Sequence, residues 1–142
     1  MKADKNNAEQ LAALLCALWP EHTERELTEL VLDYIQSERS AVFAEKINGA
    51  FIGIALCSIR TDYVEGCDTS PVGYLEGVYV SEGFRHLGLA KHLVSECEEW
   101  ARGKGCTEFA SDCELANTAS QRFHISIGFQ EENRIVCFKK KL

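Results

Sequence analysis

The sequence contains no apolar run long enough to cross a bilayer. Leu11 to Trp19, the longest near its start, is about half of the roughly 20 residues a spanning helix needs. A secretory leader is not indicated either, because Asp4 and Glu9 dilute the positive charge of such a segment and no small-residue cleavage pattern precedes Trp19-Pro20. The expected location is the cytoplasm, away from membranes. C-x-x-C spacing is also missing: the cysteines, at 16, 57, 67, 97, 106, 113 and 137, form no zinc or redox pattern, and their odd number argues against a disulfide framework. They read as small buried hydrophobes, with Cys67, in a polar loop, as the thiol expected to be most exposed. Nothing beside it in sequence supplies the base and positive field of a nucleophile. Basic residues are scarce, 15 against 22 acidic, and the net charge of −7 repels nucleic acid while suiting a cationic partner. No linker, repeat or low-complexity segment divides the 142 residues, so residues 1–142 read as one domain with its own core.

Leu11, Leu14, Leu15 and Leu18 recur at helical spacing from Ala8 to Leu18, and Pro20 ends the pattern. Thr23-Glu24-Arg25-Glu26 has the form of a capping box, and Leu27, Leu30, Val31, Tyr34 and Ile35 give a second helix its apolar stripe. Strands are expected over Ala41–Lys46 and Ala50–Ile59 around Asn48-Gly49, a pair that tolerates the positive φ of a tight hairpin. A polar loop from Thr61 leads to a strand over Tyr74–Val80, then to a helix carrying Leu89, Leu93, Cys97, Trp100 and Ala101 that stops at Gly103-Lys104-Gly105. Thr107–Ser111 reads as a short strand, Asn117 as the N-cap of a helix, and Ile135–Phe138 as a last strand. The order ααβββαβαβ predicts an α+β fold with a central mixed sheet flanked by helices.

The stretch YLEGVYVSEGFRHLGLAKHLV, residues 74–94, ends a strand and starts a helix on a glycine turn. A helix N-terminus has unpaired N–H groups and a partial positive charge, so such a turn can hold a pyrophosphate on main-chain donors. Arg85, His86 and Lys91 add positive or donor character, and Gly88 and Ala90 keep bulk away. An ordinary strand-to-helix connection has a similar pattern, so by itself the turn defines only an anion site.

Two segments make it more specific. LEGVYVSEGFRHLGLAKHLV resembles the cofactor-gripping motif of the GNAT superfamily of acetyl-CoA-dependent N-acetyltransferases, and NTASQRFHISIGF resembles its later segment. LWPEH, SIRTDYVEGCDTSPVGYLEGVYV and ASDCELANTASQ resemble the aminoglycoside 6′-N-acetyltransferases over most of the chain from Trp19 onward. The resemblance implies a GNAT-like fold, acetyl-CoA as co-substrate without a metal, a cationic aminoglycoside as acceptor, no nucleic acid partner, and a homodimer.

It also implies roles for residues. The main chain of Val78, Tyr79 and Val80 would pair with the pantetheine arm as an added strand, with Val78 N–H left free at a bulge, and His86, Leu87, Gly88, Leu89, Ala90 and Lys91, next to Arg85, would bind the pyrophosphate. Asn117 matches an asparagine that bonds the pantetheine, besides being an N-cap. Glu76 would be the base that deprotonates the acceptor ammonium, or its ligand, where the bland alternative is an outward strand carboxylate. His124 stands where many relatives have the tyrosine that protonates the leaving sulfur; an imidazole can do this, or can simply pack against the cofactor. Trp19, His22, Tyr63, Glu76 and Asp112 fall where relatives bind substrate, a mixture of carboxylates and aromatic faces suited to ammonium groups, and Asn133 falls where some relatives place an acidic substrate contact, its neutrality expected to weaken one ammonium interaction. Two other readings remain open: the same fold acetylating a polyamine, a metabolite amine or a protein lysine, and a CoA-binding module without catalysis.

Overall fold

The computed structural model describes residues 1–142. After a short 3-10 turn, helix α1 (Ala8–Leu18) and helix α2 (Glu24–Gln36) lead into β1 (Ser40–Ile47), β2 (Ala50–Arg60) and β3 (Val72–Val80). Then follow α3 (Leu89–Gly103), β4 (Phe109–Ser111) and α4 (Thr118–Ser126). The sheet has the order β1-β2-β3-β4, antiparallel except for the parallel β3–β4 pair, so it is mixed as predicted.

Local chemistry explains the start of α2 and the first hairpin turn. Thr23 Oγ1 accepts from Glu26 N–H at 3.2 Å while Glu26 accepts from Thr23 N–H at 2.8 Å, a closed capping box. Asn48 and Gly49 take φ of 50° and 84°, the left-handed pair a two-residue hairpin needs.

The period-2 pattern sorts the strands onto two cores. Val42, Ala44, Ile54 and Leu56 face α1 and α2, where Leu11, Leu15, Leu27 and Val31 are fully buried. Ala41, Phe43, Ala55, Cys57 and Leu75 face α3 through Leu93, Val94 and Cys97. Each buried Leu, Ile or Val contributes about 1.5–3 kcal/mol, which makes these two layers the principal restraint on the sheet.

One irregularity sits at the centre of this sheet. Leu56 pairs with Gly77 and Cys57 with Leu75, so Glu76 is an extra residue opposite no partner, a β-bulge. The bulge shifts the alternation by one residue. Leu75 before it and Val78 after it can then both serve the α3 core, while Gly77 and Tyr79 turn toward α1 and α2.

Two sequence expectations fail. No strand forms over Ile135–Phe138: residues after Phe129 have no regular structure, and Ile135, Val136 and Phe138 are 63%, 77% and 91% exposed. A strand exists only where a neighbour accepts its ladder hydrogen bonds, and no other strand of this chain is paired with the tail. Cys67 is not the most exposed thiol. It packs half-buried beside Val64, Val72 and Tyr74 under the loop between β2 and β3, and burial, followed by the field of Glu108, raises its pKa. The exposed cysteines are Cys113 and Cys137.

No helix is long and apolar enough to cross a membrane.

Candidate active site

The parallel pairing of β3 with β4 covers only Gly73, Tyr74 and Leu75 against Phe109, Ala110 and Ser111. Beyond Leu75 the two strands part, and the edge of β3 from Glu76 to Val80 has no strand beside it. Main-chain direction along that edge follows from one bond: Ser81 N–H donates to Ile52 carbonyl at 2.8 Å. Strand residues alternate in the edge they address, so Tyr79, two residues back, also faces β2 and the polar main-chain groups of Val78 and Val80 face the gap. Arg85 Nε donates to Val80 carbonyl at 3.0 Å, and its guanidinium lies 5.7 Å from the Tyr79 ring centroid, tying the turn to the strand end.

That turn leads into α3 through two left-handed residues, His86 at φ 64° and Gly88 at φ 78°. Positive φ at a histidine is uncommon, and such strain concentrates at functional loops. The first main-chain bond of the helix runs from His92 N–H to Gly88 carbonyl at 3.0 Å, leaving Leu89, Ala90 and Lys91 N–H without main-chain partners. No acidic residue lies in this first turn, and a Cβ on Gly88 would meet no atom within 4 Å. The site therefore has open space, three unpaired donors, a helix dipole and the cations Arg85 and Lys91, a donor set that fits a pyrophosphate. The exposed side chains of His86 and Leu87 flank it.

Among the residues expected to meet the acceptor, Glu76 lies in the bulge. Trp19 lies over Gly77, the residue after Glu76, where an added Cβ would come within 3.0 Å of its indole. His22 shares a shallow cavity of about 250 Å³ with Trp19, Glu21, Glu26, Leu27 and Leu30. The Thr23 main-chain N–H holds the Glu26 carboxyl below its ordinary pKa, keeping negative charge at that rim. Tyr63 projects from the β2–β3 loop, 78% exposed, and Asn133 Nδ2 donates to Glu65 Oε1 at 2.7 Å, placing the tail residue on the same loop. Asp112, directly after β4, accepts the hydroxyl of Tyr74. Burial, and then this hydrogen bond, push the Tyr74 phenol well above its ordinary range.

Sequence reasoning missed what surrounds Glu76. Arg60 donates through Nη2 to both carboxylate oxygens at 2.9 Å and through Nε to Oε1 at 3.2 Å, and Ser58 Oγ donates to Oε1 at 2.6 Å. The Arg60 guanidinium also stacks 3.4 Å from the centroid of the Tyr74 ring. Period 2 places Ser58 and Arg60 on one face of β2, a signal present in the sequence. Their partner on β3 depends on register and bulge, which it does not carry. Tyr34 on α2 senses the same pair: burial raises its phenol to about 12, with Glu76 adding to the shift and Arg60 opposing it.

His124 lies half-buried on α4 at the vertex where β3 and β4 part. Nδ1 is 2.7 Å from Ser120 carbonyl, which can only accept, so Nδ1 carries hydrogen. Nε2 is therefore the nitrogen free to gain or lose a proton, and Ser111 Oγ lies 2.8 Å from it and 3.3 Å from Leu75 carbonyl. Ser111 was not anticipated. Asn117 Oδ1 accepts from Ser120 N–H at 3.1 Å as the N-cap, leaving its amide NH₂ to donate.

Glu45, His92 and Glu96 bring possible ligand atoms within 4.8 Å of one another, but Glu45 already meets His92 Nδ1 and Glu96 pairs with the Met1 ammonium at 3.0 Å. The β2–β3 loop is held to the start of β4 by Glu108, which accepts from Asp68 and Thr69 N–H at 2.9 and 2.8 Å. The Thr69 hydroxyl, the largest cause, and these amides depress the Glu108 pKa. A depressed carboxylate pKa gives loop order that is complete above its unfolded value of about 4.3 and fades as pH falls through the folded value. Amide exchange at Asp68 and Thr69 is expected to be slow at neutral pH and to lose its protection on acidification into that window, while Glu108→Gln shows weak protection at every pH.

Comparison with known proteins agrees with this geometry. Residues 9–129 match the acetyltransferase (GNAT) family. An aminoglycoside N(6′)-acetyltransferase type 1 from Serratia marcescens is 39% identical over 140 residues, covering 98% of this chain and 96% of the relative. The structure of AAC(6′)-Iy with the bisubstrate analogue CoA-S-monomethyl-acetylneamine superposes with a TM-score of 0.95 at 38% identity, covering 100% of this chain and 97% of that one. Aminoglycoside N-acetyltransferase AAC(6′)-Iy in complex with CoA gives 0.96 at 38%, covering 99% and 93%.

Proposed function

The chain belongs to the GNAT family of acetyltransferases, and from that premise we propose that it transfers acetyl from acetyl-CoA directly to the 6′-amine of an aminoglycoside, in the cytoplasm and as a homodimer. The observation that carries this reading is the bulge at Glu76. It sets a carboxylate in β3 one residue before Gly77, which the Trp19 indole covers, where the other edge of the strand is unpaired. The near-full-length similarity to aminoglycoside N(6′)-acetyltransferases supports the choice of acceptor.

Bound acetyl-CoA supplies an activated acyl group as a thioester. Val78 and Val80, with Tyr79 between them, hold the pantetheine arm in the manner of an added strand, and Asn117 donates to it. His86 through Lys91 cradle the pyrophosphate on main-chain N–H groups, with Arg85 fixing the turn. Val78 N–H stabilises negative charge developing on the thioester oxygen. Glu76 takes a proton from the acceptor ammonium, directly or through water, so that the amine can attack. Trp19, His22, Tyr63, Asp112 and Asn133 orient the cationic rings.

His124 reaches the leaving sulfur through Ser111. A proton on Nε2 turns Ser111 from donor to acceptor and frees its hydroxyl hydrogen for the thiolate. Ser111→Ala and His124→Gln are both expected to lower kcat about tenfold or more while leaving CoA affinity within twofold. An unchanged kcat in both variants removes the relay.

The exposed Ile135–Phe138 segment supports the dimer, because it is an apolar strand sequence without a partner in its own chain. Light scattering is expected to give twice the chain mass, and truncation after Asn133 to give a monomer; a monomeric full-length protein refutes this part.

The decisive assay measures acetylation of kanamycin or tobramycin beside spermidine and a lysine peptide. Turnover of the aminoglycosides supports the reading. No aminoglycoside turnover at millimolar substrate overturns it: acetylation of spermidine or the peptide then favours another amine, and tight CoA binding without any product favours a non-catalytic module.

A further inference from the structure

The Arg60–Glu76 pair has an unusual setting for a strand-end ion pair. The guanidinium fills a box with the Glu76 carboxylate on one side and the Tyr74 ring on another, at 3.4 Å. The Tyr74 hydroxyl in turn leads to the Asp112 carboxylate. Carboxylate, aromatic face and second carboxylate are the groups that recognise an organic ammonium ion. This box already holds a cation, one belonging to the protein.

Arg60 is also placed so that it can leave. It is the last residue of β2, at the mouth of the β2–β3 loop, and its side chain is 42% exposed against 21% for Glu76. The guanidinium can therefore swing into water about its side-chain torsions while the main chain stays paired opposite Val72. Glu76 has no such freedom, because it is anchored in the sheet and held by Ser58. A partly exposed ion pair of this kind is weak enough for a ligand of several positive charges to displace.

We propose that Arg60 is an internal competitor for the ammonium subsite: it occupies the Glu76–Tyr74 box in the free enzyme, and a polycationic substrate must displace it to bind. The inference deepens the acetyltransferase reading and rests on it. It gives Arg60 a role in selectivity. Monoamines present one charge and exchange one cation for another with little gain, whereas a polycation gains at its remaining ammonium groups. It also couples chemistry to binding, since Glu76 is released from its bidentate partner only when an acceptor amine takes that place.

The test uses the full-length enzyme saturated with CoA and tobramycin as probe, with binding read by calorimetry and turnover read separately. Arg60→Gln removes the competitor, and tobramycin Kd is expected to fall about fivefold, the size of a partly exposed ion pair. Ethylamine is expected to give no measurable heat with the wild type and to bind the variant. Methylguanidine is expected to compete with tobramycin in Arg60→Gln, returning its Kd toward the wild-type value, and to have little effect on the wild type. Arg60→Lys, which keeps the charge and the strand, is expected to stay within twofold of wild type.

A tobramycin Kd that is unchanged or weaker in Arg60→Gln, with no competition from methylguanidine, overturns the proposal and makes Arg60 a positioning residue for Glu76. Should Arg60→Gln not fold, methylguanidine competition is read in Arg60→Ala or Arg60→Met, with the same outcomes. Wild-type enzyme that binds and acetylates no aminoglycoside overturns the underlying reading instead, a result distinct from a wild type that works and a variant that does not tighten.

Discussion

Replacing Glu76 by Gln is expected to lower kcat by about 10²-fold, the lower end of what a positioned base contributes. Shape and hydrogen-bonding reach are nearly kept, so Ser58 and Arg60 retain an oxygen to address. What disappears is the ability to accept a proton from the acceptor ammonium. The variant should therefore bind CoA within twofold of wild type, since the pyrophosphate turn lies at the far end of the strand and shares no side chain with Glu76. The pH dependence of kcat/KM should change on its acidic side, where the wild type needs an ionised carboxylate. Steady-state kinetics across pH, with CoA binding measured in parallel, checks both parts. A rate and profile like those of the wild type would place the base elsewhere and leave Glu76 as a ligand of ammonium groups.

Gly88→Val is expected to weaken CoA binding about 100-fold. At φ 78° a β-branched residue is strained by about 1–3 kcal/mol, and relief requires the turn to move. Movement there redirects the N–H groups of Leu89, Ala90 and Lys91, and a pyrophosphate held by main-chain donors has no other geometry to fall back on. The added side chain also occupies the open space through which a ligand would approach. Because no protein atom lies within 4 Å of that space, the fold itself should persist, with a melting temperature lowered only by the strain. Gly103→Ala at the other end of α3 is the control. Its Cβ also meets nothing, its φ is not left-handed, and CoA affinity should hold within twofold. Similar losses in both variants would show that the helix as a whole, rather than the conformation at Gly88, sets affinity.

The three paired elements around the chemistry differ in how far the sequence disclosed them. The glycine turn into α3 was almost fully legible: Gly88, the helix start and the flanking cations lie within seven residues, so proximity in sequence is proximity in space. Glu76 was legible as a strand carboxylate, but its environment was not. Arg60 and Ser58 come from a strand 16 and 18 residues earlier, and only the register, displaced by one residue at the bulge, brings them onto the same carboxylate. His124 was legible as a candidate acid or packing group. That Ser111 Oγ stands 2.8 Å from its ring depends on where β4 lies against α4.

The sequence by itself determined the helices, the caps of α2 and α4, the hairpin, the order of elements as far as α4 and the glycine turn that opens α3. Those features rest on interactions among residues a few positions apart, where capping, period and left-handed tolerance act. Tertiary structure alone decided that Arg60 neutralises Glu76, that Trp19 covers Gly77, that Cys67 is sheltered, and that Ile135–Phe138 has no partner strand. Each depends on which distant surface a side chain or a ladder of N–H groups meets, and pairing across a bulged sheet assigns those surfaces only once the chain has closed on itself.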